Sequence, residues 1–594
     1  MSVLPRTRTL TILAQDPSVK DKLGKILKTQ VQIPAETLAK GPRGYRVNVI
    51  DYDTSTGTLY VPLEYNPPKN GKYEDPFKEL ADLGRDDKLL NDPHFHEQNV
   101  YAIVMRTLAR FEFALGRRIS WGFEGHQIHV APHAFADANA FYSERDRALL
   151  FGYFLAPPEK DSKREVIFTC LSHDVVAHET SHALLDGLRS RYTMPSSPEQ
   201  SGFHEGFADI VALLSMFSLK AVVETSFEMM EEKSKVKKHK ANPNLIDIKL
   251  LQLENLKNSI LFGLADEVGQ VISGKRRSAL RNSVDLPELS PTDDSYLLRP
   301  NFQEAHRLGE VLVAAVMNAF IKLWRKRIEK YFPKVKDKVK EIDLDRNIII
   351  DEGANAAEHL LTMIIRGIDY TPPTDIKFGD FLSAVLTSDA ETVPDDSRYQ
   401  YRQILIDSFK AYGIKPSAVA KDDGTWNVAS DVFSYDRTHF DSLLNDPNEI
   451  FRFIWDNREA LKVDERAFTQ VESVRPCLRI GPDGFAVRET IAEYVEMVIL
   501  QAGELNSFDI SPPDDMPNDF EVTLYGGGTL IFDEYGRLKY QVRRRVFSAD
   551  KQTEKLKHLW ENGYFESRSL RKVSFSQMHL QRAVNYSPKY TEGF

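Results

Sequence analysis

Asp174-Val-Val-Ala-His-Glu-Thr-Ser-His-Ala-Leu-Leu-Asp-Gly-Leu188 is the stretch on which the reading of the chain turns. It holds His178-Glu179-x-x-His182 in a helical pattern. Residues four apart on an α-helix share a face, so both imidazoles point at one ion, and Glu179, about 100° round the helix, reaches a water on that ion. Val175, Val176, Ala177, Leu184 and Leu185 flank the pair. Such apolar neighbours imply a mostly buried helix, in which unpaired imidazole and carboxylate groups are costly. The plain alternative is a surface helix with two ordinary histidines.

A zinc peptidase centre needs a third protein ligand and an open position for water. Downstream, Gly202-Phe-His-Glu-Gly-Phe-Ala-Asp-Ile-Val-Ala-Leu-Leu214 sets Glu205 and Asp209 four apart on an otherwise apolar helix. Most glutamates are solvated. Two carboxylates on one face of a buried helix are most simply compensated by a metal and by a histidine that ligates it. The expected assignment is therefore Zn2+ held by His178, His182 and Glu205, with Glu179 as general base and Asp209 orienting a ligand histidine.

These residues resemble the thermolysin family, the glutamate-zincin metallopeptidases, whose zinc signature is Asp-Val-Val-Ala-His-Glu-x-x-His-Ala followed by Glu-x-x-x-Asp. Upstream, Asn139-Ala140-Phe141-Tyr142 is similar to the family's Asn-Ala-Phe-Trp segment. The resemblance implies that Asn139 and Ala140 bind substrate backbone along an edge strand, a form of strand addition. Downstream, Glu304-Ala-His306 ahead of a long apolar helix looks like the family's transition-state histidine. The family's aspartate five residues earlier is Asn301 here. The family's catalytic tyrosine falls on Thr193, and a shift of one residue gives that role to Tyr192. After the Glu205 helix stand Ser215, Met216 and Phe217 in place of a calcium-binding acidic cluster, so no structural calcium is expected there. The resemblance runs over roughly residues 90 to 415.

At 594 residues the chain is too long for one core, since single cores stop growing at roughly 250 to 300 residues. An α+β fold is expected in three parts: an N-terminal extension (1–85), a thermolysin-like zinc peptidase domain (86–415) with a mixed N-terminal and a helical C-terminal subdomain, and an α+β C-terminal domain (416–594). Apolar spacing predicts helices over His94–Leu115, Asp174–Leu188, Phe203–Leu219, Glu304–Trp324, Ala354–Ile365, Phe378–Leu386 and Arg402–Tyr412. Alternation around Asp53-Thr-Ser-Thr-Gly57 predicts a hairpin over Tyr45–Tyr65. Gly526-Gly-Gly528 opens no helix, which argues against a phosphate loop. The charged run from Glu231 to Lys240 reads as a solvated face.

A net charge of -10 spread along the chain makes neither nucleic acid nor an anionic membrane an obvious partner. Two cysteines, Cys170 and Cys477, exclude a disulfide framework and a zinc site made of thiolates. The first twenty residues lack a cleavable leader and no run approaches roughly 18 apolar residues, so a cytoplasmic protein is expected. The expected activity is zinc-dependent endopeptidase cleavage of a peptide or protein substrate. Two other readings stay open: a zinc-stabilised binding or regulatory protein on a peptidase fold, and a small-molecule hydrolase on the same scaffold.

Overall fold

The computed structural model describes residues 5–155, 166–233, 244–263, 282–290, 295–332, 343–481 and 483–565. Residues 234–240 of the charged run lie outside them. The chain is a mixed α+β protein with several sheets.

Near the N-terminus, Thr7–Leu13 pairs antiparallel with Lys28–Pro34. Val47–Val49 is a strand, but it does not pair within the expected hairpin: it runs parallel to Ile128–Phe135. The hairpin shrinks to Tyr52–Asp53 against Thr58–Leu59, because Val47 and Val49 gain full burial only in the larger sheet. That sheet continues from Ile128–Phe135 to Ala148–Leu155 in parallel, then to Ala140–Ser143 in antiparallel. Leu10, Ile12, Val31, Ile33, Val47 and Val49 share one buried cluster with Phe95, Val104 and the helices that follow, so residues 5–85 pack into the same core.

The helices start where capping chemistry places them. Asp92 accepts a hydrogen bond from His94 N at 3.0 Å and Pro93 occupies the first turn, opening Pro93–Leu115. Ser197 accepts from Gln200 N at 3.2 Å ahead of Pro198, so the second motif helix runs Pro198–Phe217, five residues before the expected start. Asp345 accepts from Asn347 N at 2.8 Å and starts Arg346–Gly367 eight residues early. The first motif helix spans His173–Leu188, and the long apolar helix spans Ala305–Ile328.

The second motif helix and the long helix touch backbone to backbone. A Cβ on Gly206 would lie 3.0 Å from Gly309 O, and one on Gly202 would lie 2.6 Å from Leu308 Cβ. Glycine at these places sets how closely the two helices approach, and with it how Glu205 sits against His306.

The C-terminal part is a four-stranded antiparallel meander of Phe468–Ile480, Ala486–Gln501, Glu521–Phe532 and Leu538–Arg544. Gly526, Gly527 and Gly528 lie inside its third strand, where a Cβ on Gly527 would meet Tyr494 O at 2.2 Å. It has its own apolar clusters, one around Phe453, Tyr494 and Phe532 and another around Leu505, Phe520 and Leu524. Buried charge joins it to the helices. Arg189 pairs with Glu493, both side chains almost wholly enclosed. Arg117 and Arg479 both reach Asp369. Burial pushes the Asp369 carboxyl up, but these guanidinium groups outweigh it and hold it well below the usual carboxylate range.

Candidate metal centre

His178, His182 and Glu205 are all buried and their ligand atoms converge. His178 Nε2 and His182 Nε2 lie 2.8 Å apart, and Glu205 Oε2 lies 3.8 Å from the first and 3.7 Å from the second. The point equidistant from these three atoms is about 2.0 Å from each, the distance at which zinc binds imidazole nitrogen and carboxylate oxygen. The residues present therefore fit a divalent ion.

The outer hydrogen bond of His178 settles which of its two ring nitrogens is presented. His178 Nδ1 meets Asp209 Oδ1 at 2.7 Å; a carboxylate only accepts, so Nδ1 carries the proton. His182 Nδ1 faces His204 Nδ1 at 2.8 Å. When His182 donates to His204, His182 Nε2 is a lone pair like His178 Nε2; when His204 donates, His182 Nε2–H bridges to His178 Nε2. Two lone pairs facing at 2.8 Å repel unless a proton or a cation lies between them. Asp209 thus stands where the sequence sets it. His204 was given no role there, although it lies inside the quoted Gly202–Leu214 stretch. Its place beside Glu205 on an apolar helix was the available signal.

Glu179 Oε1 is 4.0 Å from His178 Nε2, and its other oxygen accepts from Tyr142 N at 3.1 Å. Tyr142 belongs to Ala140–Ser143, which among the described residues has one strand neighbour. Asn139 O accepts from Gly152 N on that neighbour, so the alternation of the strand turns the backbone groups of Ala140 and Tyr142 to the open side. The Asn139 side chain folds onto Ala140 N at 2.9 Å. Tyr142 OH donates to Asp186 Oδ2 at 2.8 Å, tying the strand to the end of the first motif helix.

His306 Nε2 lies 3.9 Å from Glu205 Oε2, and its side chain is one-third exposed. Glu304, not the residue at position 301, orients it: His306 Nδ1 to Glu304 Oε1 is 2.9 Å. Burial pushes the Glu304 carboxyl up, but the His306 bond and charge, with backbone N–H groups of His306 and Arg307, bring it below its ordinary value. Glu304 also caps the long helix by accepting from Arg307 N at 3.1 Å.

The structure does not bring Tyr192 to this group. Its hydroxyl lies 2.8 Å from Thr371 Oγ1 and also reaches Pro372 O, its ring packs edge-on to Phe203, and burial pushes its phenol up. The one-residue shift that would give it a catalytic role finds no support in that position.

No protein-family model matches the chain, and no curated protein matches it. Fold and site together define a mixed α+β protein in which two histidines and a glutamate from two consecutive helices surround one buried point. Among the described residues no single helix is long and apolar enough to cross a membrane.

Proposed function

We propose that the chain is a zinc-dependent endopeptidase of the thermolysin-like kind, acting on peptide or protein substrates in the cytoplasm. The observation that carries this reading is the convergence of His178 Nε2, His182 Nε2 and Glu205 Oε2 on one point, with a carboxylate that is not part of the trio, Glu179, at its edge. Zinc bound there supplies a Lewis acid for the peptide carbonyl and lowers the pKa of a bound water.

With zinc held by His178, His182 and Glu205, Glu179 would be the residue that accepts the proton of the attacking water and hands it to the leaving amine. Its contact with Tyr142 N holds the carboxylate between the helix and the edge strand. The outward carbonyl of Ala140, with Asn139 beside it, receives the substrate as an added strand, while Tyr142 N stays on Glu179. His306, with Nδ1–H on Glu304, turns Nε2–H toward the developing oxyanion, a contribution worth roughly 3 to 4 kcal/mol for a well-placed donor. Asp209 and His204 keep the ligand rings in the required tautomers.

The test is zinc stoichiometry of the purified full-length chain together with digestion of a mixed peptide library. The reading expects zinc at this site and internal cleavage of peptides. Protein that holds zinc there and cuts nothing would overturn it.

A further inference from the structure

His96, His133 and Cys170 form a second buried group, made of other residues than the centre above. His96 lies on the helix Pro93–Leu115, His133 on the strand Ile128–Phe135, and Cys170 in the turn Thr169–Leu171 just ahead of the first motif helix. Their ligand atoms all fall within 4.8 Å of one another.

Hydrogen-bond accounting shows what the two rings offer. His96 Nε2 is 2.9 Å from Leu90 O; a carbonyl only accepts, so this nitrogen carries the proton and Nδ1 is the lone pair. His133 Nδ1 is 2.7 Å from Asp51 Oδ2, and Asp51 Oδ1 also accepts from His133 N at 3.1 Å. That nitrogen is thus the donor, and Nε2 is aimed inward. His96 Nδ1 and His133 Nε2 then face each other at 2.7 Å. The rings of Phe168 and Tyr60 pack around them. Two inward lone pairs, a cysteine in reach and each outer nitrogen held by a carboxylate or a carbonyl are the arrangement seen in metal-ligating histidines.

We infer that His96 Nδ1, His133 Nε2 and Cys170 Sγ form a second metal site that takes zinc or a similar thiophilic divalent ion. Imidazole with thiolate suits such ions and not calcium or magnesium, which take oxygen ligands. On binding, the Cys170 thiol releases its proton to solvent and the ion sits between the two inward ring lone pairs. The two positive charges are then matched by the Cys170 thiolate and the Asp51 carboxylate, so no net charge is buried. The ion ties a helix, a strand and the turn that leads into the first motif helix. Its role is structural.

Cobalt separates this site from the peptidase centre, because only this one has sulfur. The full-length protein, stripped with a chelator and titrated with Co2+, should take two ions per chain and show a near-ultraviolet thiolate-to-cobalt absorption band. Cys170→Ser should take one ion and lose the band. Cys477→Ser should keep both ions and the band, and Glu205→Gln should weaken or lose one ion and keep the band. Cobalt-saturated wild-type protein without that band overturns the inference whether or not the variants fold, and so does a band that survives in Cys170→Ser. Wild-type protein that takes a single ion and shows the band would instead count against the peptidase reading and leave this one standing.

Discussion

His178 and Asp209 meet Nδ1 to Oδ1 at 2.7 Å across two helices that are consecutive in the chain. The contact fixes the tautomer of His178 from a residue that lies outside the converging trio. Asp209→Ala should leave the fold intact and weaken zinc binding by about 10- to 100-fold, the usual cost of losing such a partner. Competition with a chromogenic chelator measures it.

Glu179 is outside the ligand trio, so its loss separates binding from turnover. Glu179→Gln should keep the zinc content of the wild type and lower peptide cleavage by about 10²- to 10⁴-fold. The comparison is made at equal metal loading, with metal analysis beside the rate. Retention of most of the activity would remove Glu179 from the mechanism.

Gly202 lies where the second motif helix crosses the long helix, with Leu308 Cβ 2.6 Å from where its own Cβ would be. None of the atoms it would meet, Leu308 Cβ, Ala305 O and Gly309 N, is a flexible side-chain end, so Gly202→Ala must push the helices apart. Overpacking of this kind costs about 1 to 3 kcal/mol. Because Glu205 rides on one helix and His306 on the other, kcat should fall more than KM rises. Thermal unfolding and steady-state kinetics on the same variant test both halves.

Arg189 and Glu493 join the first motif helix region to the C-terminal meander through a pair with almost no exposure. Glu493→Ala leaves a guanidinium enclosed without that partner, and breaking a buried pair costs about 3 to 5 kcal/mol. A lower urea midpoint is expected. Conversion of the whole pair to apolar residues should cost much less than either single change.

His359 packs on the Tyr401 ring at 4.3 Å between centroids. Burial first, then the charges of Arg327 and Arg366, push its pKa down to about 4 from 6.5. A depressed histidine pKa means that the unfolded chain binds more protons in this window, so stability is full above about pH 6.5 and is lost as pH falls toward 4. The loss is on the order of 3 kcal/mol at most. Melting temperatures from pH 7.5 to 4.5 should fall less steeply for His359→Gln than for the wild type.

What could be read from the sequence was what spacing along one helix dictates. His178, His182 and Glu179 on one helix and Glu205 and Asp209 on the next are fixed by a four-residue period, so their shared faces follow from the chain itself. The strand at Ala140–Ser143 followed from the resemblance of Asn139–Tyr142 to a known segment and not from spacing. What remained hidden depends on contacts distant in sequence. Val47–Val49 finds its partner some eighty residues on, and no local alternation records that. Glu304 replaces the expected orienting aspartate because the cap of the long helix turns its carboxylate toward His306, a matter of backbone direction and not of residue type. Tyr192 is drawn away by Thr371 and Pro372, which lie far along the chain. The group of His96, His133 and Cys170 comes from a helix, a strand and a turn, with no spacing that announces it.

The most direct test of the central claim is an anomalous difference map from crystals of the zinc-loaded protein, measured above the zinc absorption edge. The account predicts a peak about 2.0 to 2.2 Å from His178 Nε2, His182 Nε2 and a Glu205 carboxylate oxygen together. A map with no peak there, or with Glu205 turned away from one bound by the histidines alone, would contradict it.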